Sequence, residues 1–401
     1  MLQSNQRRMC RVVFLAGCIL PTLAVMAWAT YQRLPTTADS RLAVVERMLG
    51  MRVDASSVDT PLPGVVRCRD LQLANVETGE VVLTAAVAHV HTEGPTPRVR
   101  LSGVSLAEGE LSHLATSLHR TLEVDWPGSV RVELANVAWQ ENAHPSAREL
   151  LAGQLLVITL ESTQQQGEIT GRRCVIETNA AGPRIEVLRN RQVTPPATRV
   201  VLDTAGQQVP ADWLVSLGAL VVEGGEQATF AGQASIVRSA DRTSGTLSGE
   251  LAGVALAQAL SIPLDTVGNL QNLNVYWQDG RITSAEGDLV AESGSMPGVF
   301  ARTIEYYLYR GTPQPGSQAA DTATVKFGWL GARFRLREDS LTLWPLANAE
   351  FGACVLDSES QVLFGRPLYY APVSDVGTVL THFGGDRGVE VSARLPRALR
   401  R

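Results

Sequence analysis

The chain has 401 residues, enough for two or three ordinary domains or for one long repeat array. Apolar residues make up 45% and charged residues 19%, and the 35 glycines and 20 prolines carry no period or cluster, which excludes collagen-like and disordered classes. A net charge of −5 lacks the basic surface that a nucleic-acid binder needs, so no nucleic-acid partner is expected.

Residues 12–29 contain no charged side chain, and Arg7, Arg8 and Arg11 precede them. Eighteen residues at helical rise span about 27 Å, close to the thickness of a bilayer core. The arginines place the first residues in the cytoplasm and the body outside it. Three fates are compatible with this run. Ala27-Trp28-Ala29 matches a small-x-small cleavage site, and Leu15-Ala16-Gly17-Cys18 matches a lipobox. The apolar run continues past the lipobox as far as the interfacial types Trp28 and Tyr31, so the reading adopted is an uncleaved signal anchor within residues 1–35.

A helix capped at Asp39 or Ser40 and ended by Gly50 follows, and strands are predicted from Val53 onward. An irregular alternation then recurs. Val66 and Cys68 alternate, the phase slips by three, and Leu71 and Leu73 resume. Val99-Leu101 with Val104-Leu106, Val132-Leu134 with Val137-Trp139, and Leu251 with Val254-Leu256 repeat it. A three-residue step moves an apolar side chain to the wrong face unless one residue bulges out. Asp70, Gly103, Asn136 and Gly253 stand just before each restart and are of types that tolerate left-handed geometry. The first three restarts, Leu71, Val104 and Val137, are 33 residues apart.

Val81–Val90 is apolar on both faces, with Val81, Leu83, Ala85 and Val87 on one and Val82, Ala86, Ala88 and Val90 on the other. Such a strand suits a sheet covered on one side by helix and on the other by lipid or protein, so Val81, Leu83, Val87 and Val90 are candidates for lining an apolar groove, the alternative being an ordinary sandwich core. Helical spacing of Leu111, Leu114, Leu118 and Leu122 predicts an amphipathic helix at 110–122, and Ser146–Leu151 is a shorter candidate. Strands predominate again to Leu289, including a single long stretch from Leu270, and a second amphipathic helix is expected at 297–309. Residues 36–310 thus form a repeating β body, 311–324 a linker, and 325–401 a C-terminal β segment with a basic tail.

No GxSxG, P-loop, GxGxxG, HExxH or CxxC occurs, so no enzyme and no cofactor is expected. His89 and His91 share one strand face with no third ligand suggested nearby, and the pair is expected to be solvated or satisfied by its neighbours. Arg67, Arg100 and Arg131 recur with the repeats and line either a solvated face or a contact with lipid headgroups. Cys68, Cys174 and Cys354 are far apart and read as small buried hydrophobes.

The anchor, the helix ending in Gly50, Pro61-Leu62-Pro63-Gly64, the phrase Val66-Arg67-Cys68-Arg69-Asp70-Leu71-Gln72-Leu73 and Thr78-Gly79-Glu80 resemble the start of AsmA-like proteins, relatives of TamB and the repeating β-groove lipid-transfer group. Phe327–Leu336 with Ser340–Leu343 resembles that family's C-terminal strand pair, although Asp339-Ser340 replaces the usual Asp-Gly turn. The resemblance implies a single-pass protein of the bacterial inner membrane with its body in the periplasm. It also implies an apolar groove for phospholipid or another acyl lipid, and a role in lipid handling or envelope assembly. The fold expected is mainly β with a few helices, an extended, curled antiparallel sheet behind a transmembrane helix. The alternative function is a structural or scaffolding envelope protein that binds a protein partner by sheet-edge pairing.

Overall fold

The structure, a computed structural model, describes residues 9, 11–32, 35–62, 64–76, 78–91, 96–106, 121–123, 128–138, 154–165, 168–178, 182–216, 227–240, 242–260, 263–279, 281–309, 324–337, 340–346, 354–365 and 371–372. The helix Arg11–Tyr31 is long and apolar enough to cross a membrane, and none of its residues is buried. Its first part holds a π-helical turn, Leu15–Ile19, followed by α1 (Leu20–Gln32). The wide turn falls where Pro21 has no N–H for the Gly17 carbonyl and its ring would crowd that oxygen. Helix α2 (Pro35–Leu49) starts earlier than the Asp39 or Ser40 cap predicts, with proline in the first position. It ends as predicted at Gly50, whose φ is 65° and whose N–H donates to the Glu46 carbonyl at 2.7 Å.

Among the described residues the body is a twenty-stranded sheet plus a two-stranded ribbon. Strands β1 (Arg52–Asp54) and β2 (Ser57–Leu62) are two pieces of one edge, both antiparallel to β3 (Val65–Ala74). Then β4 (Val81–His91) and β5 (Arg98–Leu106) extend the meander. Strand β6 (Val130–Ala135) pairs with β5 in parallel, a departure from the antiparallel sheet expected. The 107–129 connection carries the chain back to the starting end of β5, so β6 runs the same way.

Antiparallel order resumes through β7 (Leu156–Gln165), β8 (Glu168–Glu177), β9 (Arg184–Asn190) and β10 (Ala197–Asp203). After the short β11 (Val209–Pro210) and α3 (Asp212–Ser216), β12 (Thr229–Ser239) returns beside β10. It is followed by β13 (Arg242–Ala255), α4 (Leu256–Leu260), β14 (Val267–Gln278) and β15 (Arg281–Ala291). The single stretch expected over Leu270–Leu289 is thus a hairpin, turning at Asp279 with φ 51°.

The ribbon joins β16 (Gly294–Pro297) to β17 (Thr324–Phe327), with α5 (Gly298–Leu308) between them. Strand β18 (Trp329–Arg337) pairs with β15 over eight residues, so the segment after the expected linker belongs to the same sheet. The far edge of β18 carries β19 (Ser340–Pro345) and β20 (Val355–Leu356). Beyond these lie β21 (Val362–Phe364) and β22 (Ala371–Pro372). The helix at 110–122, apart from its last two residues, the candidate at Ser146–Leu151, the linker up to residue 323 and the basic tail lie outside the described residues.

One face of the sheet is covered. In the first half α2 contributes Val45, Met48 and Leu49, and the crossover contributes Leu122; these pack on Val66, Cys68, Leu71, Leu83, Val90, Val99, Leu101 and Leu134. In the second half Trp213 and Leu214 of α3, Leu256 of α4, Phe300 and Ala301 of α5, and the ribbon residues Met296, Val325 and Phe327 fill the same face. Burial at about 25 cal/mol per Å² of apolar surface makes this layer the main source of stability.

Candidate functional site

Asp70, Gly103, Asn136 and Gly253 all have left-handed backbone, with φ of 49°, 64°, 53° and 69°. The apolar residues on either side of three of the slips stay on the covered face: Cys68 and Leu71, Leu101 and Val104, and Leu251 and Val254 are all buried. The registers bring three of the four into line. Asp70 and Gly103 flank Ala86 from its two sides, and the parallel β5–β6 register sets Asn136 beside Gly103. That register, Arg98 with Arg131 and Ser102 with Ala135, has an offset equal to the 33-residue repeat interval. The sequence repeat is therefore a transverse crease running across β3, β4, β5 and β6.

The crease redistributes the groove candidates. Strand β4 slips phase at Ala86, opposite two left-handed residues, so Leu83, Ala85, Ala88 and Val90 share the covered face. Leu83 and Val90 are buried beneath the protein's own side chains. Val87 lies half-buried on the opposite face, and Val81 is exposed at the start of the strand. The four candidates do not form one lining, and the expected pairing of Val87 with Leu83 fails because alanine at the slip carries no bulge signal.

The middle of the covered face is mostly buried but has three partly open positions. Strand registers place Ile158, Ile176, Ile185 and Leu202 in one row across β7 to β10, and Leu160, Cys174, Val187, Val200 and Ile236 in the next. Ile158, Ile185 and Val200 are only half-buried there, between the two packed halves. The row beyond is polar: Ser162, Arg172, Arg189, Thr198 and Arg238 stand side by side on the same face.

Arg172 is fully buried and donates to the carbonyls of Thr121 at 2.5 Å and Met48 at 3.3 Å. It thereby meets the C-terminal end of α2 and the end of the crossover, where helix carbonyls and the macrodipole favour a cation. Arg191 adds a bond to the Leu122 carbonyl at 2.9 Å, and Arg189 faces Glu123 at 2.8 Å. Sequence reasoning missed this row because it exists only through the registers of five strands.

The remaining candidates fall on the open face. His89 lies between Arg67 and Arg100 in one transverse row that includes Glu133. Arg67 makes a bidentate pair with Asp59 and Arg131 pairs with Glu133 at 2.9 Å. The Arg67 hydrogen bond holds the Asp59 carboxyl below its usual range. Among the described residues no group of three His, Cys, Asp or Glu side chains could hold a metal ion. Cys68, Cys174 and Cys354 are buried free thiols, and burial pushes Cys174 up to about 12, which keeps it unreactive near neutral pH. An open polar hollow of about 610 Å³ lies over Gly249, Glu250, Gln271, Asn272 and Asn274, where a second slip lets Asn272 adopt φ 50°. Comparison with protein-family models, curated proteins and solved structures finds no match to this chain, and the likeness to AsmA-like proteins rests on the residues quoted for it.

Proposed function

We propose that this chain is a single-pass envelope protein, anchored in the bacterial inner membrane by residues 11–31, whose periplasmic sheet handles acyl lipid. The observation that carries the reading is the half-buried apolar seam of Ile158, Ile185 and Val200 between the two packed halves. Such a strip is costly to leave wet, and an acyl chain laid along it removes that surface from water. The bilayer anchor keeps the seam close to a source of such chains. The seam replaces Val81, Leu83, Val87 and Val90 as the place where a tail is held. No chemical step is part of this reading.

Scaffolding by edge pairing has less support. The β1–β2 edge is short and interrupted, holds Pro61, and carries the Asp59–Arg67 ion pair, all devices that discourage strand addition. The deciding experiment is extraction of the full chain from membranes in mild detergent, followed by mass spectrometry of the lipid it retains. Phospholipid in near-equimolar amount is expected, falling to background in Val200→Arg, because an unpaired charge cannot share the strip with a tail. Retention no greater than that of an unrelated anchored protein overturns the reading.

A further inference from the structure

We propose that the covered face carries an oxyanion site above Thr198, gripped by Arg189 from β9 and Arg238 from β12, and that its ligand is a phosphate group. The site rests on the lipid reading only for the source of that phosphate, a lipid headgroup or the free ion. Thr198 faces Arg189 on one side and Arg238 on the other, so the two arginines stand two strand spacings apart, about 9.6 Å, with the threonine between them. Their long side chains can close that gap around one tetrahedral anion, and a guanidinium presents paired N–H donors matched to phosphate oxygens.

Charge balance points the same way. Arg189 has Glu123 at 2.8 Å and donates to the Thr198 hydroxyl at 2.9 Å. Arg238 makes no hydrogen bond or ion pair among the described residues, although it is half-buried on the same face as buried Ala234 and Ile236. Burial alone pulls its guanidinium down from the ordinary range, and no carboxylate opposes that effect. A desolvated cation without a partner is unfavourable, and an anion placed beside it removes the penalty. The neighbouring row, Val187, Val200 and Ile236, is apolar. A phosphate held above Thr198 would leave attached acyl chains lying along the seam.

The test uses the full chain in nonionic detergent and three probes: inorganic phosphate, dihexanoyl phosphatidylglycerol and dihexanoylglycerol. Arg238→Gln is compared with Arg199→Gln, a neighbouring arginine on the open face. Arg238→Gln is expected to weaken phosphate and phosphatidylglycerol about ten- to a hundredfold, the worth of one or two charge-assisted hydrogen bonds, and to leave dihexanoylglycerol unchanged. Arg199→Gln should alter none of the three. If Arg238→Gln melts early, Arg238→Lys replaces it and should show a smaller loss, because it keeps the charge without the fork. Unchanged phosphate and phosphatidylglycerol affinity in a folded Arg238 variant overturns the site, even where dihexanoylglycerol binding upholds the lipid reading. Phosphate binding that depends on Arg238, without any diglyceride binding, upholds the site and makes the free ion its ligand.

Discussion

Asp70, Gly103 and Asn136 bend the backbone alike, yet they differ in what their side chains do. The Asp70 carboxylate accepts a hydrogen bond from Ser56 at 2.7 Å, while Gly103 leaves room where a Cβ would come within 3.0 Å of the Ala86 Cβ. Gly103→Val is expected to destabilise by about 2 kcal/mol, combining a positive φ that a β-branched residue resists with the contact to Ala86. Urea unfolding of the variant checks this, and a change under about 0.5 kcal/mol would show that the crease tolerates ordinary strand geometry. A second residue-level device is Asp288, buried and gripped by Arg333 at 2.7 and 2.9 Å with Asn272 at 3.0 Å. The Arg333 hydrogen bond holds its carboxyl below the usual range. A depressed carboxylate pKa stabilises the fold above the unfolded value of about 4, and that stability is lost as pH falls through the folded value. Arg333→Gln should therefore lower the melting temperature most near neutral pH, with the gap to the unmodified chain closing below about pH 4. A gap independent of pH would assign the loss to packing instead. At this scale the sequence is informative where the residue type itself is selective. Glycine, asparagine and aspartate advertise their bulges, whereas Ala86 slips phase with a side chain that suits either geometry.

At the scale of elements, α2 and the crossover are tied to the sheet by one buried side chain. Arg172 reaches carbonyls 124 and 51 residues away along the chain, at Met48 and Thr121. Arg172→Met keeps apolar volume but leaves those carbonyls without their donor, which should cost about 3 kcal/mol. Hydrogen exchange should then rise around Val45–Gly50, and unchanged protection there would mean that apolar packing alone seats the helix. The elements themselves were legible to differing degrees. The α2 stop was readable because Gly50 supplies the left-handed cap, and the Gly298–Leu308 helix because its apolar stripe follows a helical period. The β14–β15 hairpin was masked by alternation continuing on both sides of Asp279, although Asp-Gly is a strong turn pair. The arginine row had no local signature at all, since each arginine alone looks like a surface residue.

The whole molecule is a membrane-length helix followed by a sheet whose neighbours in space are almost all neighbours in sequence. The charge-free run of residues 12–29, with Arg7, Arg8 and Arg11 before it, leads us to expect residues 35–401 outside the cytoplasm. Protease added to spheroplasts should degrade the body while intact cells protect it, and a mature N-terminus at Cys18 or Thr30 would rule out the uncleaved anchor. The large β architecture could be read from alternation and turns, but the parallel β5–β6 pair could not. It is set by the return path of residues 107–129, and the matching 33-residue interval gains its meaning only once the register is known.

That connectivity also governs how the chain can acquire its structure. Apart from the returns over 107–129, 204–228 and 292–328, most strands dock on a partner that precedes them closely, so the loop to be closed at each step is short and its entropic cost small. A polypeptide threaded through a translocation pore from its N-terminus could therefore zip strand by strand as it emerges, each new edge serving as the template for the next. Pauses would come where an open edge waits on a longer connection, at β5 for β6, at β10 for β12 and at β15 for β18. At each of these an edge strand stays open until the intervening segment has passed, and those intervals are the times at which an escorting chaperone would matter most.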